Sequence, residues 1–459
     1  MVKRVAVFLL LILVLQILPV VPASASEPFR DLIGQAAVLA ERDTGTILYS
    51  NNMHVRHPAD ALTKIMTLLL AAYAVENDEI SDNELITMTE SAWHDVTENS
   101  STLNIEPGEE MTFIDLMYSS YVGNANEASN MLALRIAGNI GSFVDRMNAL
   151  ATELGAENTR FVNPHGQYHA SQYTTAHDQF IIFNEAVKSA LFSEVSSTFR
   201  HITEGTDEFE SRTITSSNSL INPSSRYYFR NCESGRDSAT FEGGYSLVAF
   251  AEDDGMALIS VILGSNVFIF DDESTDIRSF SETIRLFTWG YNQFSWREIL
   301  KTTDLLAKVP ILHGSGADFI NARPESPLTL LLDNSVPDEA FDRNITIFSE
   351  VRDDPLMAPI SAGEVLGEVV ITRDGVEYAR TALVANTDIN LNSFEYMRRQ
   401  VIALLSTTMA RNVMIAPGLL LLLYIVLVVR YNIVRANRLR RIKNAKNDII
   451  RERHQNFRE

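Results

Sequence analysis

Cysteine is nearly missing: Cys232 is the only one in 459 residues, so no intramolecular disulfide can form and stability must come from packing and hydrogen bonds. The same scarcity leaves no cysteine-rich metal site, and no metal or cofactor is expected. Cys232 itself reads as a small core residue, because no histidine stands near it in sequence to activate a thiol. Positive charge is also scarce. Lys and Arg number 38 against 59 Asp and Glu, a formal net charge of −21, which argues against nucleic-acid binding. Internal repeats and low-complexity linkers are absent from the chain.

The few cations are unevenly placed. Nine Lys and Arg lie between Arg430 and Arg453, directly after an uncharged apolar run, Val413–Val429, that is about long enough to cross a bilayer. Basic residues following such a run place the tail on the cytoplasmic side; the competing reading is a buried core helix. At the other end, Lys3 and Arg4, the apolar stretch Val5–Val21 and Ala23-Ser24-Ala25 read as an export signal over residues 1–25, with an uncleaved N-terminal anchor as the alternative. Either way the body lies outside the membrane. The basic tail serves as a topology determinant, with anionic-lipid contact or a partner protein as the functional alternatives.

At this length and 46% apolar content the chain can fill more than one core, since single cores stop growing near ~250–300 residues. A hairpin is expected at Ala36–Glu41 and Thr46–Ser50 around Asp43-Thr44-Gly45. A central helix follows over Ala61–Ala74, where Leu62, Ile65, Met66, Leu69 and Ala72 recur near a 3.6 period. Further helices are expected at Ile114–Tyr121, Glu127–Ala137, Phe143–Leu154, Ala176–Ala190 and Glu282–Tyr291, with a clear hairpin at Ser246–Glu252 and Met256–Leu263 around Asp254-Gly255. Strands at both ends and helices between them give an α+β domain, residues 30–296. A small, mostly β domain occupies 301–392, with short strands at Lys308–Leu312, Leu328–Leu332, Ile345–Glu350, Glu364–Thr372 and Val376–Ala382. A helical stalk at 393–412, a transmembrane helix at 413–430 and a cytoplasmic tail at 431–459 complete the chain.

Several segments carry a resemblance. The string His57-Pro58-Ala59-Asp60-Ala61-Leu62-Thr63-Lys64-Ile65-Met66-Thr67 resembles the opening active-site helix of the low-molecular-mass penicillin-binding proteins, the D-alanyl-D-alanine carboxypeptidase family. Leu154-Gly155-Ala156 through Phe161-Val162-Asn163-Pro164-His165-Gly166, and Tyr173-Thr174-Thr175-Ala176-His177-Asp178, resemble further family signatures. Ala358-Pro359-Ile360, Gly363, Gly367 and Leu383-Val384-Ala385 resemble the small β domain of many members, so the likeness runs from about Gln35 to Asn390. It implies a β-lactamase/transpeptidase-like first domain and a peptidoglycan stem peptide as the substrate class. It also implies three motifs: a Ser-x-x-Lys pair supplying nucleophile and activating lysine, a Ser-x-Asn loop, and a Lys-Thr-Gly strand that holds the substrate carboxylate.

This chain departs from all three. Three residues is roughly one helical turn, so the nucleophile must stand that far before Lys64 to share its face; the residue there is Ala61, whose methyl cannot attack a carbonyl. Asp60 and Thr63 sit around the helix from that position. In the second motif Asn124 stands at the serine position and Asn126 keeps the asparagine. In the third, Glu233-Ser234-Gly235 replaces Lys-Thr-Gly and inverts the charge, so a substrate or β-lactam carboxylate would be repelled by about 1 kcal/mol in water at ~4 Å. His165 reads as shaping its loop.

Losing a serine nucleophile alone costs on the order of 10⁶ in turnover, so the expected protein is a catalytically inactive, membrane-anchored module that binds peptidoglycan or an envelope protein. The alternative is an active serine-type carboxypeptidase with a non-standard nucleophile such as Ser119, Ser120 or Ser234. In the altered cleft Lys64 needs a partner, and Glu233 on the facing strand is expected to pair with it.

Overall fold

The computed structural model describes residues 29, 31–205, 209–406 and 408–455; the expected export signal lies outside them. The chain divides into two compact units, Met1–Arg297 with Thr329–Ala340, and Glu298–Leu328 with Phe341–Glu459.

The first unit is built on a five-stranded antiparallel sheet. Its strands are β1 (Ala36–Glu41), β2 (Ile47–Asn51), β3 (Cys232–Thr240), β4 (Gly244–Asp253) and β5 (Met256–Ser265), in the spatial order β2-β1-β5-β4-β3. Every residue of the central strand β5 is buried. Its two faces feed different cores: Ile259, Val261 and Leu263 join one, Leu258 and Ile262 the other. A strand covered on both faces reads as a continuous apolar run, as Met256–Leu263 does.

The helices are α1 (Thr63–Glu76), α2 (Phe113–Tyr121), α3 (Asn126–Ala137), α4 (Ile140–Glu153), α5 (Ala176–Ala186), α6 (Ala190–Ser197) and α7 (Arg278–Gln293). Helix α1 is the central one. Ile65, Met66, Leu68, Leu69, Ala71 and Ala72 are all buried, and a helix apolar around its whole circumference belongs inside. It packs with α2–α6 against one face of the sheet, while Leu286 and Phe287 of α7 cover the other. The helix expected over Ala176–Ala190 is two helices, because the Ser189 hydroxyl accepts a hydrogen bond from the Phe192 N–H and so caps a new start. The expected start of α1 at Ala61 also shifts: Asp60–Leu62 is a 3-10 turn and the regular helix begins at Thr63. Asp60 carries a left-handed φ of 42°, a conformation that bends the chain just ahead of the helix.

The second unit holds a six-stranded sheet that includes Ala307–Leu312, Phe319–Pro324, Asp342–Ile347, Val365–Arg373 and Val376–Ala385. Phe319–Pro324 carries weak strand signals and was not anticipated. The strand expected over Ile345–Glu350 starts at Asp342 and gives way at Phe348 to a one-turn helix. Beyond the sheet, Ser393–Ser406 and Thr408–Gln455 are helical. The latter contains the stretch Pro417–Asn447, long and apolar enough to cross a membrane, and the basic segment continues the same helix.

Candidate active-site cleft

The cleft of the first unit has a helical wall and a strand wall. On the helical wall, α1 begins deep in the core, which carries Lys64 with it: the side chain is 1% exposed. Its Nζ donates to Asn126 Oδ1 at 2.7 Å and to the His165 carbonyl at 2.5 Å. The structure thus brings together Lys64, Asn126 and the His165 loop, three segments separated widely in sequence. Burial pushes the Lys64 ammonium well below the ordinary lysine range; the Arg236 charge adds to this and the Glu127 carboxylate opposes it. Glu127 is itself buried and accepts from the Leu103 and Ile105 N–H groups, yet burial holds its carboxyl above the usual range.

His165 shapes its loop through the backbone. Its carbonyl holds Lys64, and its ring Nδ1 accepts from the Gln167 N–H, so that nitrogen carries no proton. Burial first, then the Lys64 and His94 charges, push the imidazole down to about 3. Gly166 follows with φ 85°, and a Cβ there would lie 2.0 Å from the Asp60 carbonyl, so only glycine lets this loop close on the turn before α1.

The strand wall is β3, the edge of the sheet. Its register against β4 shifts between Cys232 and Ser234, and this bulge ejects Glu233 into solvent. The expected Glu233–Lys64 ion pair is therefore not formed: no carboxylate stands within salt-bridge distance of Lys64 among the described residues, and Asn126 with the His165 carbonyl satisfies it instead. Gly235 faces away from the helical wall; a Cβ there would meet the Val248 carbonyl at 2.7 Å and Asn218 Nδ2 at 2.9 Å. Beyond the bulge the alternation of a strand turns Ser234, Arg236, Ser238 and Thr240 toward α1.

Of these, Arg236, Ser238 and Thr240 were missed in the sequence, and they define the cleft. Arg236, 3% exposed, donates Nε to the Ala61 carbonyl at 3.3 Å, Nη1 to the Tyr121 carbonyl at 2.5 Å, and Nη2 to Asn124 Oδ1. Asn124 takes a left-handed φ of 57°, in the loop between α2 and α3. The Ala61 N–H donates to Ser238 Oγ at 3.3 Å, and Thr240 Oγ1 donates to Asp60 Oδ2 at 2.6 Å. A Cβ on Gly243 would fall 1.9 Å from that same Asp60 oxygen. The available signal was the period-two polar run Ser234, Arg236, Ser238, Thr240 in a strand with one buried face.

The remaining candidates are placed as follows. Thr63 Oγ1 accepts from Gln172 Nε2. Ser120 shares a hydrogen bond with Ser129, and Ser119 and Ser234 are buried with hydroxyls that have no partner among the described residues. No serine hydroxyl is hydrogen-bonded to Lys64 among the described residues. Cys232 is buried on the opposite face of the sheet, its thiol pushed up to about 12 by burial, and no cluster of three or more His, Cys, Asp or Glu able to hold a metal exists among the described residues.

Residues 22–267 match the D-alanyl-D-alanine carboxypeptidase family model. The chain belongs to this family. Its relatives include the D-alanyl-D-alanine carboxypeptidases DacF of Bacillus subtilis, 28% identical over 78% of this chain and 87% of that one, and DacA of Haemophilus influenzae, 26% identical over 78% and 86%. Penicillin binding protein 5 from Haemophilus influenzae has the same fold, with a TM-score of 0.59, 24% identity and coverage of 78% of this chain and 98% of that one. So has the carboxypeptidase DacD from Francisella tularensis, at a TM-score of 0.60, 21% identity and coverage of 81% and 95%.

Proposed function

We propose that this carboxypeptidase-family chain is a non-hydrolysing, membrane-anchored module of the cell envelope that holds peptidoglycan or an envelope protein. The observation that carries this reading is Ala61. Its side chain offers no nucleophile, and its N–H and C=O are both engaged by β3 side chains. At the second-motif position an amide, Asn124, faces a guanidinium; neither group can pass a proton near neutral pH. Glu233, at the cation position of the third motif, supplies a negative charge that lies in solvent. The body, residues 30–296 and 301–392, is assigned to the outer side of the membrane, the segment 413–430 to the span and the basic tail to the cytoplasm.

The test is covalent labelling of the full-length chain in detergent by a fluorescent penicillin, with co-sedimentation on purified sacculi. Binding to sacculi without label and without released D-alanine supports the module. A stable penicillin adduct on the wild-type chain would mean that another residue attacks, and would return the protein to the active carboxypeptidases.

A further inference from the structure

We infer that the cleft is latched shut by its own strand wall, so that the former substrate groove between β3 and the turn before α1 is occupied by protein and any peptidoglycan or partner is held elsewhere. This deepens the preceding reading and rests on it. Three successive inward side chains of β3 bond the residues around Ala61: Thr240 to Asp60, Ser238 to the Ala61 N–H, and Arg236 to the Ala61 carbonyl. Arg236 then continues across the cleft to the end of α2 and to Asn124, so one guanidinium joins three segments. Its side chain is nearly inaccessible, as are Ser238 and Lys64 at 4% and 1% exposure.

A groove ready to receive a peptide must leave hydrogen-bonding groups free on both walls; buried groups without partners are costly. Here those at the centre are already satisfied from within the chain. Among the described residues, the Ser234 hydroxyl at the far end of the row and Asp60 Oδ1 at the near end are the latch atoms that stay buried without a hydrogen-bond partner. The latch also explains why a guanidinium fits where, among the described residues, no carboxylate is in salt-bridge range: Arg236 directs its donors to two carbonyls and an amide oxygen, in a planar fork suited to several acceptors at once. Opening the groove would leave that cation buried and unpaired or force it into water, either of which opposes entry of a ligand.

The decisive measurement is hydrogen exchange of the full-length chain in detergent. The Ala61 N–H has Ser238 Oγ as its partner, so the latch requires that its exchange be slow in the wild type and at least tenfold faster in Ser238→Ala, with α4 as an unaffected reference. Arg236→Gln should speed exchange across residues 59–62 and 121–125 together; if that variant does not fold, Ser238→Ala and the wild type still decide. Fast exchange at Ala61 in the wild type, or no change in Ser238→Ala, overturns the latch. So does penicillin labelling of Ala61→Ser, because a restored hydroxyl in a closed groove stays unlabelled. Labelling of the wild type would instead overturn the non-hydrolysing reading, so the two failures are distinguishable.

Discussion

The two walls of the cleft make their bonds in different directions. The helical wall is closed on itself, with Lys64 on Asn126 beside the His165 loop. The strand wall substitutes an outward bulge at Glu233 and an inward row of Arg236, Ser238 and Thr240. The lesson lies in what each wall depends on. Lys64 is satisfied by groups its own wall supplies, so it persists whatever faces it. The strand wall makes its bonds across the cleft, so its side chains determine whether the cleft is open.

The largest effect that would break this contrast is at Arg236. Arg236→Met strands one buried and two half-buried acceptors, and a hydrogen bond to a charged group is worth about 1.5–3 kcal/mol, so a loss of roughly 3 kcal/mol or more is expected in denaturant unfolding. Lys64→Met strands two acceptors rather than three, and since both substitutions remove a desolvated cation, which offsets part of each loss, the Lys64 variant should cost less. Equal losses would show that the walls are not asymmetric.

A second effect separates the walls by pH. With its folded value near 3 against about 6.5 in the unfolded chain, His165 binds its proton more readily when unfolded. Its contribution is fully present above about pH 6.5 and is lost progressively as pH falls toward 3. Between pH 7.5 and 4.5 the wild type should therefore lose about 2–3 kcal/mol more than His165→Gln, read from paired denaturant titrations. An equal loss in both would place the titration outside the helical wall.

Smaller effects sharpen the strand wall itself. Asp60 is buried, and its Oδ1 already lacks a partner, while burial holds its carboxyl above the usual range and the Thr240 hydrogen bond opposes that. Thr240→Val removes this bond and should cost about 1–2 kcal/mol. Glu233→Lys, on the bulge, should change stability by no more than about 0.5 kcal/mol, as exposed substitutions do. A large effect there would mean that Glu233 reaches the cleft after all.

The architecture was legible where one pattern had one physical cause. Met256–Leu263 and Ser246–Glu252 marked the hairpin, and the 3.6-residue recurrence of Leu62, Ile65, Met66, Leu69 and Ala72 marked the central helix. The spacing from Lys64 placed Ala61 before any coordinates. The helix break at Ser189 was obscured because apolar residues on both sides continue the period through a serine that caps rather than interrupts.

What the amino-acid sequence determined alone is the family, the α+β fold, the apolar C-terminal helix, and the residue types at the three motif positions, because each rests on local spacing or composition. What only the tertiary structure decided is which way those residues face. A single bulge at Glu233 turns the inverted charge outward and brings Arg236, never suspected from its neighbours, onto Ala61, Tyr121 and Asn124. A strand reverses its faces with every one-residue shift in register, and pairing to β4 sets that register.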